Sequence, residues 1–85
     1  MALDYSIIGE RLKKARLAKN LTQEQLAEKL DVSVAFLSRA ERGDVKINLS
    51  RITQLCDILD ISISSILTGT VSNSKDYLTE DFSNL

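Results

Sequence analysis

Histidine, proline and tryptophan are missing from this 85-residue sequence, and cysteine occurs only once. Without histidine, a Ser-His-Asp triad, a Cys-His pair and the common zinc ligand sets cannot be assembled. A single cysteine also excludes an intrachain disulfide. Because Cys56 shares its apolar spacing with Ile52, Leu55 and Leu59, we expect it in the core as a small hydrophobic residue. The sequence therefore predicts no enzyme, no metal site and no cofactor.

The lack of proline and the low aromatic content (5%), with 44% hydrophobic residues, favour one small all-α bundle over a β-sandwich or barrel. No run of about 18 apolar residues is present, so the sequence predicts no membrane span. The first residues, MALDYSIIGERLKKAR, lack the apolar segment and cleavage site of a signal peptide. We therefore expect a cytoplasmic protein.

Charge is unevenly distributed along the chain, although the formal net charge is only -1. Residues 1–46 carry nine Lys/Arg and seven Asp/Glu, whereas residues 47–85 carry two and five. The first half is therefore net positive and the second half net negative. This asymmetry permits nucleic-acid binding by the first half but does not establish it.

Apolar residues recur at helical spacing in five segments, which predicts five short helices. The first runs from about Ile7 to Lys19, with Ile8, Leu12 and Ala15 on its buried face. Each later helix follows a residue that caps helix N-termini: Thr22 (with Gln25 completing a capping box), Ser33, Asn48 and Ser62. The residues expected to face inward from these four helices are Leu26, Ala27, Leu30, Leu37, Ala40, Leu49, Ile52, Leu55, Cys56, Leu59, Ile63, Ile66 and Leu67. Gly43 and Gly69 are expected to end the third and fifth helices.

The second and third predicted helices lie within TQEQLAEKLDVSVAFLSRAERG, residues 22–43, and are joined by a tight turn at Asp31-Val32. The third helix mixes small, apolar and basic side chains. Two short helices joined in this way are typical of a helix-turn-helix DNA reader. One helix of such a reader lies against the phosphates and the next enters the major groove.

Residues 70–85 differ in composition from residues 1–69, which we assign to the helical domain. The tail is rich in Ser, Thr, Asn and acidic residues, yet Leu78, Phe82 and Leu85 fall at helical spacing, with Tyr77 adjacent. Two interpretations remain open at this point. The tail is either frayed, as chain ends commonly are, or a short helix whose apolar stripe packs on the domain or on a second subunit.

The segment from Ile8 to Leu67 resembles the Cro/repressor-type (Xre-like) helix-turn-helix family. The resemblance rests on IGERLKKAR, LTQEQLAEKLDVS, FLSRAERG, INLSRITQLCDILDIS and SISSILTG. It implies a compact, all-α, five-helix lambda-repressor-like DNA-binding domain with the helix-turn-helix at helices 2 and 3. The turn residue, often glycine in this family, is Asp31 here, and aspartate tolerates the left-handed conformation better than most residues.

The resemblance also implies roles for individual residues. Arg16 and Glu41 match a partly buried ion pair between helix 1 and the end of helix 3, and Gln23 matches a phosphate-contacting glutamine. The positions that correspond to base-reading residues on helix 3 are Val34, Ala35, Ser38 and Arg39. Around the following loop, Arg42, Lys46 and Asn48 are candidate phosphate contacts. Each of these polar residues could instead be ordinary solvated surface. Phe36 falls between the reading and buried faces.

These observations lead to two hypotheses about function. The first is a sequence-specific, double-stranded DNA-binding transcriptional regulator, a homodimeric repressor that reads a palindromic operator and joins the nucleoid when bound. Tyr77, Leu78, Phe82 and Leu85 are the candidate dimer contacts. The second is a protein-interaction module, an antitoxin-like or regulatory subunit that binds a partner through the same fold. The apolar run Val34-Ala35-Phe36 and the net negative charge favour the second hypothesis.

Overall fold

Five helices and one pair of two-residue strands follow one another in the computed structural model, which describes residues 2–72. The elements are β1 (Ala2–Leu3), α1 (Tyr5–Ala18), α2 (Gln23–Leu30), α3 (Val34–Arg42), α4 (Leu49–Leu59), α5 (Ile63–Leu67) and β2 (Val71–Ser72). The predicted five-helix, all-α architecture is confirmed. The predicted tail contacts Tyr77, Leu78, Phe82 and Leu85 lie outside the described residues.

Local capping sets where the helices begin. Thr22 Oγ1 accepts a hydrogen bond from Gln25 N at 3.0 Å, and Gln25 Oε1 accepts one from Thr22 N at 2.8 Å, which is the predicted capping box. The predicted caps of α3, α4 and α5 are likewise present. The predicted start of α1 at Ile7 was wrong by two residues. Asp4 Oδ1 accepts from the amides of Ser6 and Ile7, so the helix begins at Tyr5.

Left-handed residues end three of the helices. Asp31 closes α2 with φ 62°, as predicted, and Asp60 closes α4 with φ 57°. Gly43, with φ 80°, ends α3 at its expected place. The fifth helix ends at Leu67, before Thr68, so Gly69 follows the helix instead of capping it.

All five helices and the loop before α4 contribute to the core. Its buried apolar residues are Ile8, Leu12, Leu26, Ala27, Leu30, Leu37, Ala40, Ile47, Ile52, Leu55, Cys56, Leu59 and Ile66. Cys56 is buried as predicted, and burial, followed by the negative charge of Asp57, raises the pKa of its thiol. The expected inward position of Leu49 was wrong, because this first residue of α4 is 59% exposed and Ile47 of the preceding loop is buried instead. Ala15, Ile63 and Leu67 are half-buried against the core.

A short antiparallel strand pair joins the two ends of the described chain. Ala2 pairs with Ser72 and Leu3 with Val71, and the amide of Asp4 donates to the carbonyl of Thr70. The predicted boundary between residues 69 and 70 falls just before this pair. Sequence periodicity could not reveal the strand pair, since two residues are too few to show an alternating pattern.

Arg11 strengthens the same junction. Its Nη1 donates to the carbonyl of Ile66 at 3.0 Å and also to the carbonyl of Thr68. A cation near the end of α5 is favourable, because the last carbonyls of a helix have no intrahelical partner.

No helix within residues 2–72 is both long enough and apolar enough to cross a membrane.

A buried ion pair fixes α3 against α1. Arg16 Nε donates to Glu41 Oε2 at 2.7 Å and Arg16 Nη2 donates to Glu41 Oε1 at 3.1 Å, with side chains only 7% and 2% exposed. Arg16 Nη1 also donates to the carbonyl of Leu21 at 2.8 Å, and Gln23 Nε2 donates to Glu41 Oε1 at 2.9 Å. The pair thus connects α1, the loop before α2, the start of α2 and the end of α3.

We expect Glu41→Ala to lower the free energy of unfolding by about 3–5 kcal/mol, because it leaves the Arg16 guanidinium buried without a counter-charge. Urea denaturation followed by circular dichroism measures this loss. Glu10→Ala removes the partner of Lys14 in an exposed pair and is the control, with an expected change within about 0.5 kcal/mol. Equal losses for the two variants would contradict the assignment of a structural role to the buried pair.

Gly9 permits the close approach of α1 and α3. A Cβ on Gly9 would lie 2.6 Å from the carbonyl oxygen of Glu41 and still closer to that of Ala40. Alanine favours helices over glycine by about 1 kcal/mol. Gly9→Ala is nevertheless expected to destabilise by about 1–3 kcal/mol, since α3 must move away. Lys13→Ala, on the exposed side of α1, is the control for the urea titration. A stabilised Gly9→Ala protein would show that α3 accommodates the added methyl group without lowering the free energy of unfolding.

Candidate nucleic-acid interface

The third helix separates a buried face from an exposed one. Leu37, Ala40 and Glu41 are buried. On the other side, Val34, Ala35 and Arg39 are exposed and Ser38 is half-buried. The structure thus brings together on one surface all four residues that the sequence analysis assigned to base reading. Phe36 is half-buried and packs against the core, which accounts for an aromatic side chain at this position.

The turn before α3 positions that exposed face. Asp31 adopts the left-handed conformation, and the amide of Val32 donates to the carbonyl of Ala27 at 3.0 Å. Ser33 Oγ then accepts from the amide of Phe36 at 3.0 Å and starts α3. Ala27 is 2% exposed and offers only a methyl group on the buried side of α2, so α2 and α3 can approach closely. The helix-turn-helix arrangement of α2 and α3 follows from these contacts.

Gln23, the predicted phosphate contact on α2, is half-buried in the first turn of that helix. Its Nε2 donates to Glu41 Oε1, so the side-chain amide is held by the ion pair of Arg16. The first amides of a helix have no intrahelical acceptor, and the helix dipole makes this end attractive to anions. Gln23 can therefore offer its backbone amide to a phosphate while Glu41 holds its side chain.

The second group of predicted phosphate contacts surrounds the loop between α3 and α4. Lys46 is exposed. Asn48 Oδ1 accepts from the amide of Arg51 at 2.8 Å, so its carbonyl oxygen is used as the N-cap of α4. Arg42 behaves differently from both. Its Nε donates to Asp44 Oδ2 at 3.0 Å and its Nη1 donates to Ser38 Oγ at 2.9 Å.

Asp44 is a residue that the sequence analysis missed, and it compensates the positive charge of Arg42. The spacing held a signal for it, because a carboxylate two residues beyond an arginine at a helix end can fold back onto that arginine. Ser38 and Arg42, four residues apart, likewise share one side of α3. Within residues 2–72, no group of three or more His, Cys, Asp or Glu side chains could hold a metal ion.

Comparison with known proteins agrees with this geometry. A family model described as helix-turn-helix matches residues 12–66. The immunity repressor protein of Bacillus phage phi105 is 37% identical over 60 residues, which are 71% of this chain and 42% of the relative. The chain spans about half the length of the first curated relatives it matches.

Solved structures give the same result. The restriction-modification controller protein C.AhdI from Aeromonas hydrophila superposes with a TM-score of 0.70 at 33% identity, covering 74% of this chain and 96% of that one. The biofilm-formation regulator SinR, solved in complex with DNA, superposes with a TM-score of 0.66 at 31% identity, covering 71% and 97%. From the matched residues and the arrangement of α2 and α3, we conclude that this chain belongs to the helix-turn-helix family.

Proposed function

We propose that the chain is a sequence-specific, double-stranded DNA-binding transcriptional regulator that acts as a homodimeric repressor on a palindromic operator. The observation that carries the proposal is the exposed surface formed by Val34, Ala35, Ser38 and Arg39 on a helix held by a buried ion pair. A rigid helix with small and basic residues outward suits the major groove. The repressor and DNA-complex relatives support the same function.

Arg39 is the principal base reader in this proposal. It is the only long basic side chain among the four residues, and bidentate arginine on guanine O6 and N7 is the commonest specific contact. Val34 and Ala35 supply methyl groups, which suit the methyl group of thymine. With so few hydrogen-bonding readers, one domain gives modest affinity for a half-site. A two-fold dimer on a palindrome doubles the contacts.

Phosphate contacts are assigned to the elements that precede and follow α3 in the chain. The start of α2 presents the backbone amide of Gln23. The loop after α3 presents the exposed ammonium of Lys46, and Asn48 caps the start of α4. Helix N-termini bind anions through free amides and the helix dipole. Arg42, the fourth predicted phosphate contact, shares its guanidinium between Ser38 and Asp44.

Self-association is assigned to the tail, and its contacts are Tyr77, Leu78, Phe82 and Leu85. We place the protein in the cytoplasm, on the nucleoid when it is bound to DNA. No cofactor enters the proposal. A regulatory protein partner remains compatible with it, because control of a DNA-binding domain can act through its concentration or through a bound protein.

A protein-interaction module is the second candidate. Its support is the exposure of apolar side chains, Val34 on α3 at 40% and Leu17 on α1 at 54%. Salt dependence separates the two functions. Neutralised phosphates release counterions, so DNA affinity falls steeply as salt concentration rises. Binding to a protein through apolar groups has no such requirement.

Selection from a pool of random duplexes at two salt concentrations tests the first function. We expect an enriched palindrome with guanine in each half-site. Arg39→Ala is expected to lose that guanine preference, at a cost of about 1–3 kcal/mol per half-site. Lys13→Ala, which removes an exposed charge from α1, is the control and keeps the preference. A pool with no enriched sequence would favour the protein-interaction module.

Removal of residues 73–85 tests the tail as the dimer contact. The cut leaves the buried Thr70 and the β1–β2 pair in place, so the helical domain is preserved. We expect the truncated protein to sediment as a monomer. Its affinity for a duplex with a single half-site should equal that of one domain of the full chain. Leu78→Ala with Phe82→Ala in the full chain should have the same effect. Unchanged sedimentation in both proteins would assign self-association to the helical domain.

A further inference from the structure

We propose that Arg42 is a positioning residue that fixes the hydroxyl of Ser38 as a hydrogen-bond donor toward the DNA bases. Ser38 then selects against cytosine at the base it faces in each half-site. The inference rests on the proposed DNA-binding function. It replaces the predicted phosphate contact at Arg42 with a role in specificity.

Two side chains hold the guanidinium of Arg42. Its guanidinium donates from Nη1 to Ser38 Oγ at 2.9 Å and from Nε to Asp44 Oδ2 at 3.0 Å. The planar guanidinium presents its donors in a fixed fork, so two partners on different edges define its orientation. Asp44 therefore holds the fork from the loop side, and Nη1 is aimed at the hydroxyl of Ser38.

The hydroxyl of Ser38 can both donate and accept hydrogen bonds. A serine hydroxyl has one donor and two lone pairs. Two other helical hydroxyls donate to a carbonyl of the preceding turn, Thr53 to Leu49 at 2.9 Å and Ser65 to Ser62 at 2.7 Å. Among the hydrogen bonds of residues 2–72, Ser38 Oγ only accepts. The guanidinium occupies one lone pair and polarises the O–H bond, so the hydroxyl becomes a stronger donor and a weaker acceptor through its remaining lone pair.

Asp44 compensates the charge of Arg42. The ion pair has no net charge, and both side chains are more than half exposed. A guanidinium whose counter-charge comes from the same chain displaces few cations from DNA, and its Nε and one Nη1 hydrogen are already bonded. Arg42 is therefore poorly suited to a phosphate contact, whereas Lys46 on the next loop is exposed and takes part in none of the ion pairs of residues 2–72.

The bases differ in the hydrogen-bonding groups that they present in the major groove. Guanine offers acceptors at N7 and O6, adenine at N7 and thymine at O4, whereas cytosine offers only the donor N4–H₂. A hydroxyl free to rotate accepts from cytosine or donates to the other bases. A hydroxyl polarised by Arg42 donates more strongly than it accepts, so cytosine, which offers only a donor, is bound least well of the four bases.

The experiment measures dissociation constants for the duplex enriched by the wild-type protein and for its single-base variants, at several salt concentrations. The proteins compared are wild type, Ser38→Ala, Arg42→Ala and the double variant. Each single substitution is expected to weaken binding about threefold to tenfold and to remove discrimination against cytosine at the same position. The double variant is expected to bind no more weakly than the weaker single variant.

Two further variants separate positioning from phosphate binding. Lys46→Ala removes a predicted phosphate contact and should weaken binding to every sequence equally. It should reduce the steepness of log K against log salt by about 0.9 for each half-site. Arg42→Ala should leave that slope unchanged. Arg42→Lys keeps the charge without the fork and should behave like Arg42→Ala in base preference. Equal thermal unfolding midpoints for all variants establish that the fold is retained.

A smaller salt slope for Arg42→Ala, with unchanged base preference and recovery in Arg42→Lys, would make Arg42 a phosphate contact and overturn the inference alone. Additive losses in the double variant would also overturn it. A wild-type protein that prefers no duplex over another would overturn both the proposed function and this inference. The wild-type measurement thus distinguishes the two failures.

Discussion

The buried pair of Arg16 and Glu41 is the contact on which the exposed face of α3 depends. Two charges removed from water gain stability only when geometry and additional hydrogen bonds are favourable. Here the guanidinium makes two bonds to the carboxylate and a third to the carbonyl of Leu21. Lysine could not supply this planar fork. The pair therefore sets the orientation of α3 relative to α1 in a way that apolar packing alone would leave less defined.

Gln23 connects this pair to the surface. Its side chain donates to Glu41, while its backbone lies in the first turn of α2. The same carboxylate therefore positions the helix proposed to read bases and the residue proposed to lie against a phosphate. In a domain of this size, few contacts are available to fix two surface elements relative to one another. A single shared acceptor achieves it with three side chains.

Helix positions were predictable because their signals are local. A capping residue followed by apolar residues at helical spacing defines a helix within about ten positions, as Thr22 and Ser33 show. Contacts between distant residues were not predictable in this way. The β1–β2 pair joins residues 70 and 68 positions apart in the sequence. Helical spacing also did not show that Ile47 is buried in the core while Leu49 is exposed. The link from Ser38 through Arg42 to Asp44 required side-chain directions that spacing alone does not give.

The pairing of Ala2–Leu3 with Val71–Ser72 also makes the described part of the chain nearly circular. Neighbouring termini are the usual condition for circular permutation. A short linker between residues 72 and 2 would close the ring, and new termini could then open in the loop between α3 and α4 without cutting a helix. The packing of α2 and α3 thus does not require the present position of the chain ends. The order of the helices along the chain could change while the exposed face of α3 is kept.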